Sequence, residues 1–360
     1  MTARTQGTVR IVGTGLLGAS IGHALTALGV DVVLSDASRS AVSLAVDYGA
    51  GRVAGPGDAP GLVVVAVPPD ATAEVTAAEL AAHPDAIVTD LASVKSGILL
   101  ELQSMGADLS RYVGSHPMAG RERAGAVASR ADLFIGRPWV IAAPEESGTA
   151  WRLVEALALD LGAAPIRMDA LAHDEAVAVI SHVPQLVASI LAKRLVGASD
   201  EAVSLAGPGV RDTTRIAASD PALWVQILGA NAGAVVTLLE AYRADLDVAI
   251  AALSDQAAPG ARRAIADLIA SGGAGVARIP GKHGTSKQFA SITVLIDDRP
   301  GELARLLTEI GALGVNMEDL RLEHSPGAQV GIAEISVLPE VEARLVEDLA
   351  AAGWRFGATE

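Results

Sequence analysis

Three short segments carry side chains that could move a proton or hold an anion: Ser93-Val94-Lys95, His116-Pro117-Met118-Ala119-Gly120 and Ser181-His182-Val183-Pro184-Gln185. An imidazole changes charge near neutral pH, so His116 suits proton acceptance. Pro117 bars the α region to His116, which predicts a loop at the end of a strand. In an open parallel sheet, ligands sit outside the carboxyl ends of the strands. Ser93 and His116 each follow a strand signal and so face one ligand region. His182 stands in a helical pattern just before Pro184, whose ring kinks a helix and frees backbone groups. There it is either a pocket group or a buried packing histidine. Arg211 and Arg215 flank Asp212-Thr213-Thr214. An arginine fork grips a carboxylate with two parallel hydrogen bonds, which a lysine cannot do. The residues leave open whether either arginine is a ligand. His23, His83, His173, His283 and His324 show no ligand spacing, so no metal is expected.

A second chemistry is written nearer the start. Gly13-Thr14-Gly15-Leu16-Leu17-Gly18 is a GxGxxG run between the apolar segment Val9–Val12 and an amphipathic stretch. A strand before and a helix after are the context that turns this run into a dinucleotide signature. Gly13 permits a tight turn, Gly15 lets a pyrophosphate approach the backbone, and Gly18 lets the helix lie against the sheet. The first N–H groups of the helix then meet the phosphates. Asp36 ends the second strand signal. Its carboxylate can accept from ribose hydroxyls and repels a 2′-phosphate, which selects NAD. Arg39 beside it keeps NADP as the alternative. Val67 and Pro68, closing the segment that begins at Leu62, complete the expected cofactor set.

These side chains need a scaffold, and the apolar pattern supplies one. Short runs at Val9–Val12, Val32–Leu34, Leu62–Val67, Ile87–Thr89, Tyr112–Gly114 and Trp139–Ala142 alternate with helical stretches. That alternation predicts a parallel sheet with helices on both faces, a Rossmann-type α/β domain over residues 1–168. Residues 169–280 read as all-helical, with long helices over 170–197 and 221–253 and a glycine-rich linker from Ser271 to Lys287. Residues 288–360 return to mixed structure in the order βαββαβ, a small ferredoxin-like unit with a turn at Ser325-Pro326-Gly327.

Composition narrows the partners. At roughly 150 residues per domain, 360 residues make two or three domains. There are 42 acidic and 27 basic residues, a net charge of −15, which argues against nucleic acid and anionic membranes. The chain has no cysteine, which removes disulfides, zinc–thiolate sites and thiol nucleophiles together. No uninterrupted apolar run reaches the ~18 residues of a membrane span, and the expected location is the cytoplasm.

GTGLLGAS (13–20), DLASVK (90–95), GSHPMAG (114–120), SHVPQ (181–185) and RDTTRIAASDPALW (211–224) together resemble the prephenate dehydrogenase family, in order across the first 280 residues. The resemblance implies oxidation of prephenate to 4-hydroxyphenylpyruvate by NAD with loss of carbon dioxide, a step of tyrosine biosynthesis. It implies that His116 takes the proton of the substrate C4 hydroxyl and that Ser93 orients both. Arg215, matched by its spacing to Trp224, would hold a substrate carboxylate. Glu122 would be a gating acid and His182 a pocket histidine. Gln185 stands where several family members carry a second histidine. An amide cannot carry positive charge, so arogenate becomes the alternative substrate. The helical domain would carry a homodimer interface. The C-terminal unit resembles an ACT domain through Asp297–Leu303 and Val315-Asn316-Met317. Asp298, Pro300, Gly301 and Asn316 would then face an amino-acid effector, with tyrosine the candidate; a purely structural or dimerising unit is the alternative. A different β-hydroxyacid dehydrogenase would need a lysine on the first long helix, where Lys193 lies past Pro184. A non-catalytic nucleotide or amino-acid sensor is the remaining reading.

Overall fold

The computed structural model describes residues 3–120, 125–142, 148–279, 289–323 and 330–357. Eight strands form one sheet: β1 (Thr8–Val12), β2 (Asp31–Ser35), β3 (Arg52–Val53), β4 (Pro60–Val65), β5 (Ile87–Asp90), β6 (Tyr112–Pro117), β7 (Pro138–Ala142) and β8 (Ala164–Met168). Their order is β3-β2-β1-β4-β5-β6-β7-β8. Helices α1 (Leu16–Ala27), α2 (Arg39–Asp47), α3 (Pro69–Ala82), α4 (Ser96–Ser104) and α5 (Gly148–Asp160) accompany it. Successive side chains of a strand point to opposite faces. Leu62 and Val64 therefore join one apolar cluster with Ile21, Leu25 and Trp139, while Val63 and Val65 join another with Leu80, Ile98 and Leu102. Burial on both faces is why these strands read as continuous apolar runs.

Two expectations are corrected in this sheet. It is not parallel throughout, because β7 pairs antiparallel with β6, and β8 runs parallel to β7. A parallel successor needs a long crossover, usually a helix. The described residues between β6 and β7 hold only the single 3-10 turn Ala126–Ala128. The second correction concerns His116, which lies in β6 and not in a loop; it pairs with Val140, and Pro117 pairs with Trp139. A following proline excludes only the α region, so extended backbone stayed open, and the antiparallel neighbour carries the ladder past Gly114.

α6 (Ala170–Val177), a π-helical turn (Ala178–His182) and α7 (Val183–Leu195) follow as one helical run. Pro184 has no N–H to give, and the wider turn just before it is the expected irregularity. The run is long and apolar enough by composition to cross a bilayer, yet His173, Asp174, His182 and Gln185 on it are all buried in the protein. Next come α8 (Asp200–Ser204), α9 (Pro208–Thr214), a 3-10 turn (Arg215–Ala217), α10 (Pro221–Ala230), α11 (Ala232–Ser254) and α12 (Ala261–Val276). The single helix expected over 221–253 is two helices bent by 93°. Asn231 sits at the break with its side-chain amide turned to other partners, and Gly229 just before it is a weak helix former. The expected linker also starts later, since α12 runs through Gly272, Gly273 and Gly275.

The last strands and helices are β9 (Ala290–Asp297), α13 (Glu302–Ala312), β10 (Asp319–Glu323), β11 (Val330–Val337), α14 (Pro339–Ala351) and β12 (Arg355–Phe356). They realise the βαββαβ order in an antiparallel sheet, β10-β11-β9-β12, over a core that includes Ile292, Val294, Leu306 and Leu345. The Ser325-Pro326-Gly327 turn lies outside the described residues. The chain packs as two compact units: Met1–Gly197 with Thr214–Tyr242, and Ala198–Thr213 with Arg243–Glu360.

Candidate active site

At the glycine turn the three glycines differ in what they avoid. Gly13 has a φ of +99°, and a Cβ on it would stand 2.3 Å from the Ala66 carbonyl oxygen. A Cβ on Gly18 would stand 2.0 Å from the Gly13 carbonyl oxygen. Gly15 has nothing within 4 Å of that position, and the N-terminus of α1, which begins at Leu16 and Leu17, takes no side-chain cap. Open space in front of unpaired first-turn N–H groups fits a dinucleotide phosphate. Asp36, just past β2, is fixed beside this turn. It accepts from Thr14 N at 2.7 Å, Thr14 Oγ1 at 3.0 Å and Ser38 N at 2.9 Å. Val67 and Pro68 connect β4 to α3, and the Pro68 carbonyl accepts from Thr72 Oγ1 at 3.0 Å.

The glycines make a paired test. Gly15→Ala leaves thermal unfolding unchanged but weakens NADH binding about tenfold, because the added methyl enters ligand space only. Gly18→Ala lowers stability by about 1–3 kcal/mol as well, because backbone must move to admit the methyl. Calorimetry and fluorescence titration of NADH separate the two effects.

His116 stands at the carboxyl end of β6 and opens a buried chain of hydrogen bonds. Its Nδ1 lies 2.9 Å from His173 Nε2, and His173 Nδ1 lies 2.8 Å from Asp174 Oδ1. Asp174 in turn accepts from the backbone N–H groups of Lys95 and Ser96, each at 2.8 Å, and so caps the N-terminus of α4. Asn231 Nδ2 donates to the Asp174 carbonyl at 2.7 Å and lies 3.1 Å from His182 Nδ1. The His182 ring meets the Trp224 ring edge-on, centroids 6.1 Å apart. Burial, His173, Lys95 and His182 push the His116 pKa well below the ordinary histidine value, against a smaller upward pull from Asp174. Burial would raise the Asp174 carboxyl, but the bonds from His173, Ser96 and Lys95 outweigh it and hold it low. The set at neutral pH is therefore a neutral His116 in line with an ionised carboxylate.

Beneath His116 lies a second buried cluster. Lys95 is 1% exposed and its ammonium contacts Asp90 Oδ1, while the Tyr112 hydroxyl donates to Asp90 Oδ2 at 2.7 Å. Gly114 makes room for it: a Cβ there would stand 2.9 Å from the Tyr112 hydroxyl and 3.1 Å from Lys95 Cδ. Burial lowers the Lys95 pKa, and Asp90 and Asp174 pull it back up.

The remaining expected residues are placed less closely. Ser93 is half-buried and forms no hydrogen bond to His116 among the described residues, where the ring's Nδ1 lies against His173. Arg215 is exposed, opens the 3-10 turn and makes no ion pair among the described residues. Gln185 is buried on α7, with Oε1 at 3.5 Å from Ser219 Oγ and Nε2 at 3.5 Å from Ser189 Oγ. Glu122 lies outside the described residues.

Residues 21–166 match the family model of the prephenate dehydrogenase nucleotide-binding domain, and residues 169–267 match that of the prephenate dehydrogenase dimerization domain. A probable prephenate dehydrogenase of Streptomyces niveus is 36% identical over 359 residues, 96% of this chain and 98% of that protein. The chain belongs to the prephenate dehydrogenase family. A solved prephenate dehydrogenase from Aquifex aeolicus, in complex with hydroxyphenyl propionate and NAD+, is 26% identical with a TM-score of 0.65, covering 75% of this chain and 96% of that one. An arogenate dehydrogenase of Synechocystis is 26% identical with a TM-score of 0.63, covering 74% and 99%.

Family membership by itself does not explain the residues around the glycine turn and His116. His173, Asp174, Asn231, Asp90 and Lys95 have no role that local sequence assigns. One signal points to them: His173, Asp174, His182 and Gln185 share the buried stripe of α6 and α7 with Val177 and Ala188. Polar residues on an apolar stripe need partners: His173 and Asp174 bond each other, His182 meets Asn231, and Gln185 lies at the limit of bonding distance from Ser189 and Ser219. In the C-terminal unit of this prephenate dehydrogenase homologue, Asp298 and Pro300 lie in the turn after β9. Gly301, with φ of +94°, precedes α13, and Asn316 Nδ2 bonds Glu318 Oε1 at 3.2 Å.

Proposed function

We propose that this enzyme is an NAD-dependent prephenate dehydrogenase, converting prephenate to 4-hydroxyphenylpyruvate and carbon dioxide. The observation that carries the reading is His116: its Nδ1 is engaged by His173, and its Nε2 has no partner among the described residues. It stands at the carboxyl edge of the sheet that bears the glycine turn, which is where an open α/β sheet binds its ligands. NAD held by Gly13, Gly15, Gly18 and Asp36 supplies the hydride acceptor for C4 of the substrate. His116 Nε2 takes the proton of the C4 hydroxyl, and C4 becomes a carbonyl. The bond from C1 to the ring carboxylate then breaks; its electron pair passes through the ring to that oxygen, the ring becomes aromatic and carbon dioxide leaves. His116 returns its proton to the phenolate. Arg215 is the candidate grip for a substrate carboxylate, being a guanidinium without an ion-pair partner among the described residues.

Gln185 favours a second reading, arogenate as substrate. Its amide offers hydrogen bonds but no cationic state to a substrate side chain. Steady-state assays with prephenate and arogenate, each with NAD and NADP, decide between them. Prephenate with NAD is expected to give the highest kcat/KM, Asp36 disfavouring NADP; turnover of neither substrate would sink both readings.

Two further parts complete the proposal. Ile180, Ile190, Leu191 and Leu195 on one helical run and Val196 just past its end are exposed apolar residues, and covering them in a homodimer accounts for that exposure. The C-terminal βαββαβ unit is an ACT-like effector domain, with tyrosine at Asp298, Pro300, Gly301 and Asn316 as feedback inhibitor.

A further inference from the structure

We propose that His173 and Asp174 are positioning residues that fix His116 in the tautomer whose Nε2 can accept a proton. The inference rests on the reading of His116 as the proton acceptor. It follows from counting donors and acceptors along the chain of bonds. Asp174 is ionised and so can only accept. Its Oδ1 takes the Lys95 N–H and its Oδ2 the Ser96 N–H. His173 Nδ1, 2.8 Å from Oδ1, must therefore carry the proton of that bond. A neutral His173 then has its lone pair on Nε2, which leaves His116 Nδ1 as the only donor for their 2.9 Å contact. A neutral His116 protonated on Nδ1 presents a bare Nε2. With a single proton on His173 each link sets the next, and the series is anchored at the α4 N-terminus, whose positive end favours the Asp174 carboxylate.

The same count gives His182 the opposite role. Asn231 Nδ2 is pinned as a donor by the Asp174 carbonyl, so His182 Nδ1, 3.1 Å from it, accepts. The proton of a neutral His182 is then on Nε2, which makes that atom a donor. One buried network thus sets one histidine to accept and the other to donate. The sequence places these partners far apart; the packing of α6 on α4 and β6, and of Asn231 on the helical run, joins them.

The test pairs kinetics with a direct reading of the protons. His173→Leu is expected to lower kcat about 100-fold while the KM for NAD moves less than about threefold, because it leaves the base present but unaligned. His173→Gln, whose amide holds both an acceptor and a donor, is expected to recover about tenfold of that loss. A purely structural role would shift the unfolding midpoint and NAD binding and leave kcat of the folded fraction unchanged, and that result overturns the proposal. Nitrogen-15 spectra of histidine-labelled wild-type protein decide the matter even if the variants do not fold. Protons on Nδ1 of His116 and His173, and on Nε2 of His182, support the network. A proton on His116 Nε2, or a doubly protonated His173, overturns it. If wild-type enzyme turns over neither prephenate nor arogenate, the substrate reading fails, and the spectra still test the tautomers on their own.

Discussion

Replacing His116 with asparagine lowers kcat by about 10²- to 10⁴-fold, the range for loss of a positioned general base, and leaves NAD binding near its wild-type strength. The side chain stays close in size and polar, so the strand pairing of position 116 with Val140 survives. What disappears is the lone pair at the position of Nε2, because the asparagine amide stops short of it. The pH profile carries the complementary signature. The acceptor must be neutral to act, and protonation as the pH falls removes it. In the folded enzyme burial, His173, Lys95 and His182 push the His116 pKa well down, with Asp174 pulling the other way. The acid limb of wild-type kcat therefore falls below the ordinary value of 6.5. The His116→Asn enzyme has no such limb. An acid limb that persists unchanged in the variant, or a kcat within about twofold of wild type, assigns the proton to another group.

Lys95→Met destabilises the protein by about 3–5 kcal/mol, the cost of leaving a buried charge without its partner. Asp90 is fully buried, and without the ammonium its carboxylate keeps only the Tyr112 hydroxyl and the Ala92 N–H. Methionine fills the space of the lysine stem, so the loss is electrostatic and not a cavity. The double variant Asp90→Asn with Lys95→Met removes both charges and recovers most of the stability, because a neutral pair has no ion to desolvate. Denaturant titration of the three proteins measures this directly. Equal losses in the single and double variants would mean that the cluster acts through packing and not through charge. The prediction bears on catalysis too, since Lys95 is one of the groups that keep His116 neutral.

How much of the molecule is legible in its sequence depends on how local the cause is. Gly13 and Gly18 are legible because turn geometry and helix packing act within a few residues. The βαββαβ order of the C-terminal unit is legible because each element has its own period. The expected loop at His116 fails because a proline rule constrains one residue, while strand β6 is decided by β7, whose partner residue Val140 is 24 positions on. The break at Asn231 is hidden for the same reason: the side chain prefers partners 57 and 49 residues earlier in the chain to a continuing helix. Lys95 follows a strand, which its sequence context shows, but nothing in that context says that its ammonium turns inward. The site splits accordingly, into a cofactor turn readable as a motif and a proton network that exists only once distant segments pack.

The cap on α4 has a consequence for the order in which the molecule is made. Asp174 lies 79 residues downstream of Lys95. At ribosomal rates of about 5–20 residues per second, α4 waits on the order of 4–16 s for the carboxylate that finishes its first turn. During that interval the nascent nucleotide-binding segment can form most of its sheet, but Lys95 and Ser96 keep open N–H groups and His116 has no fixed proton. A cut between residues 168 and 169, where the two family models nearly meet, therefore keeps all eight strands together but separates α4 from the carboxylate that caps it. The boundary between the two matched regions is not a boundary in the assembly of the molecule.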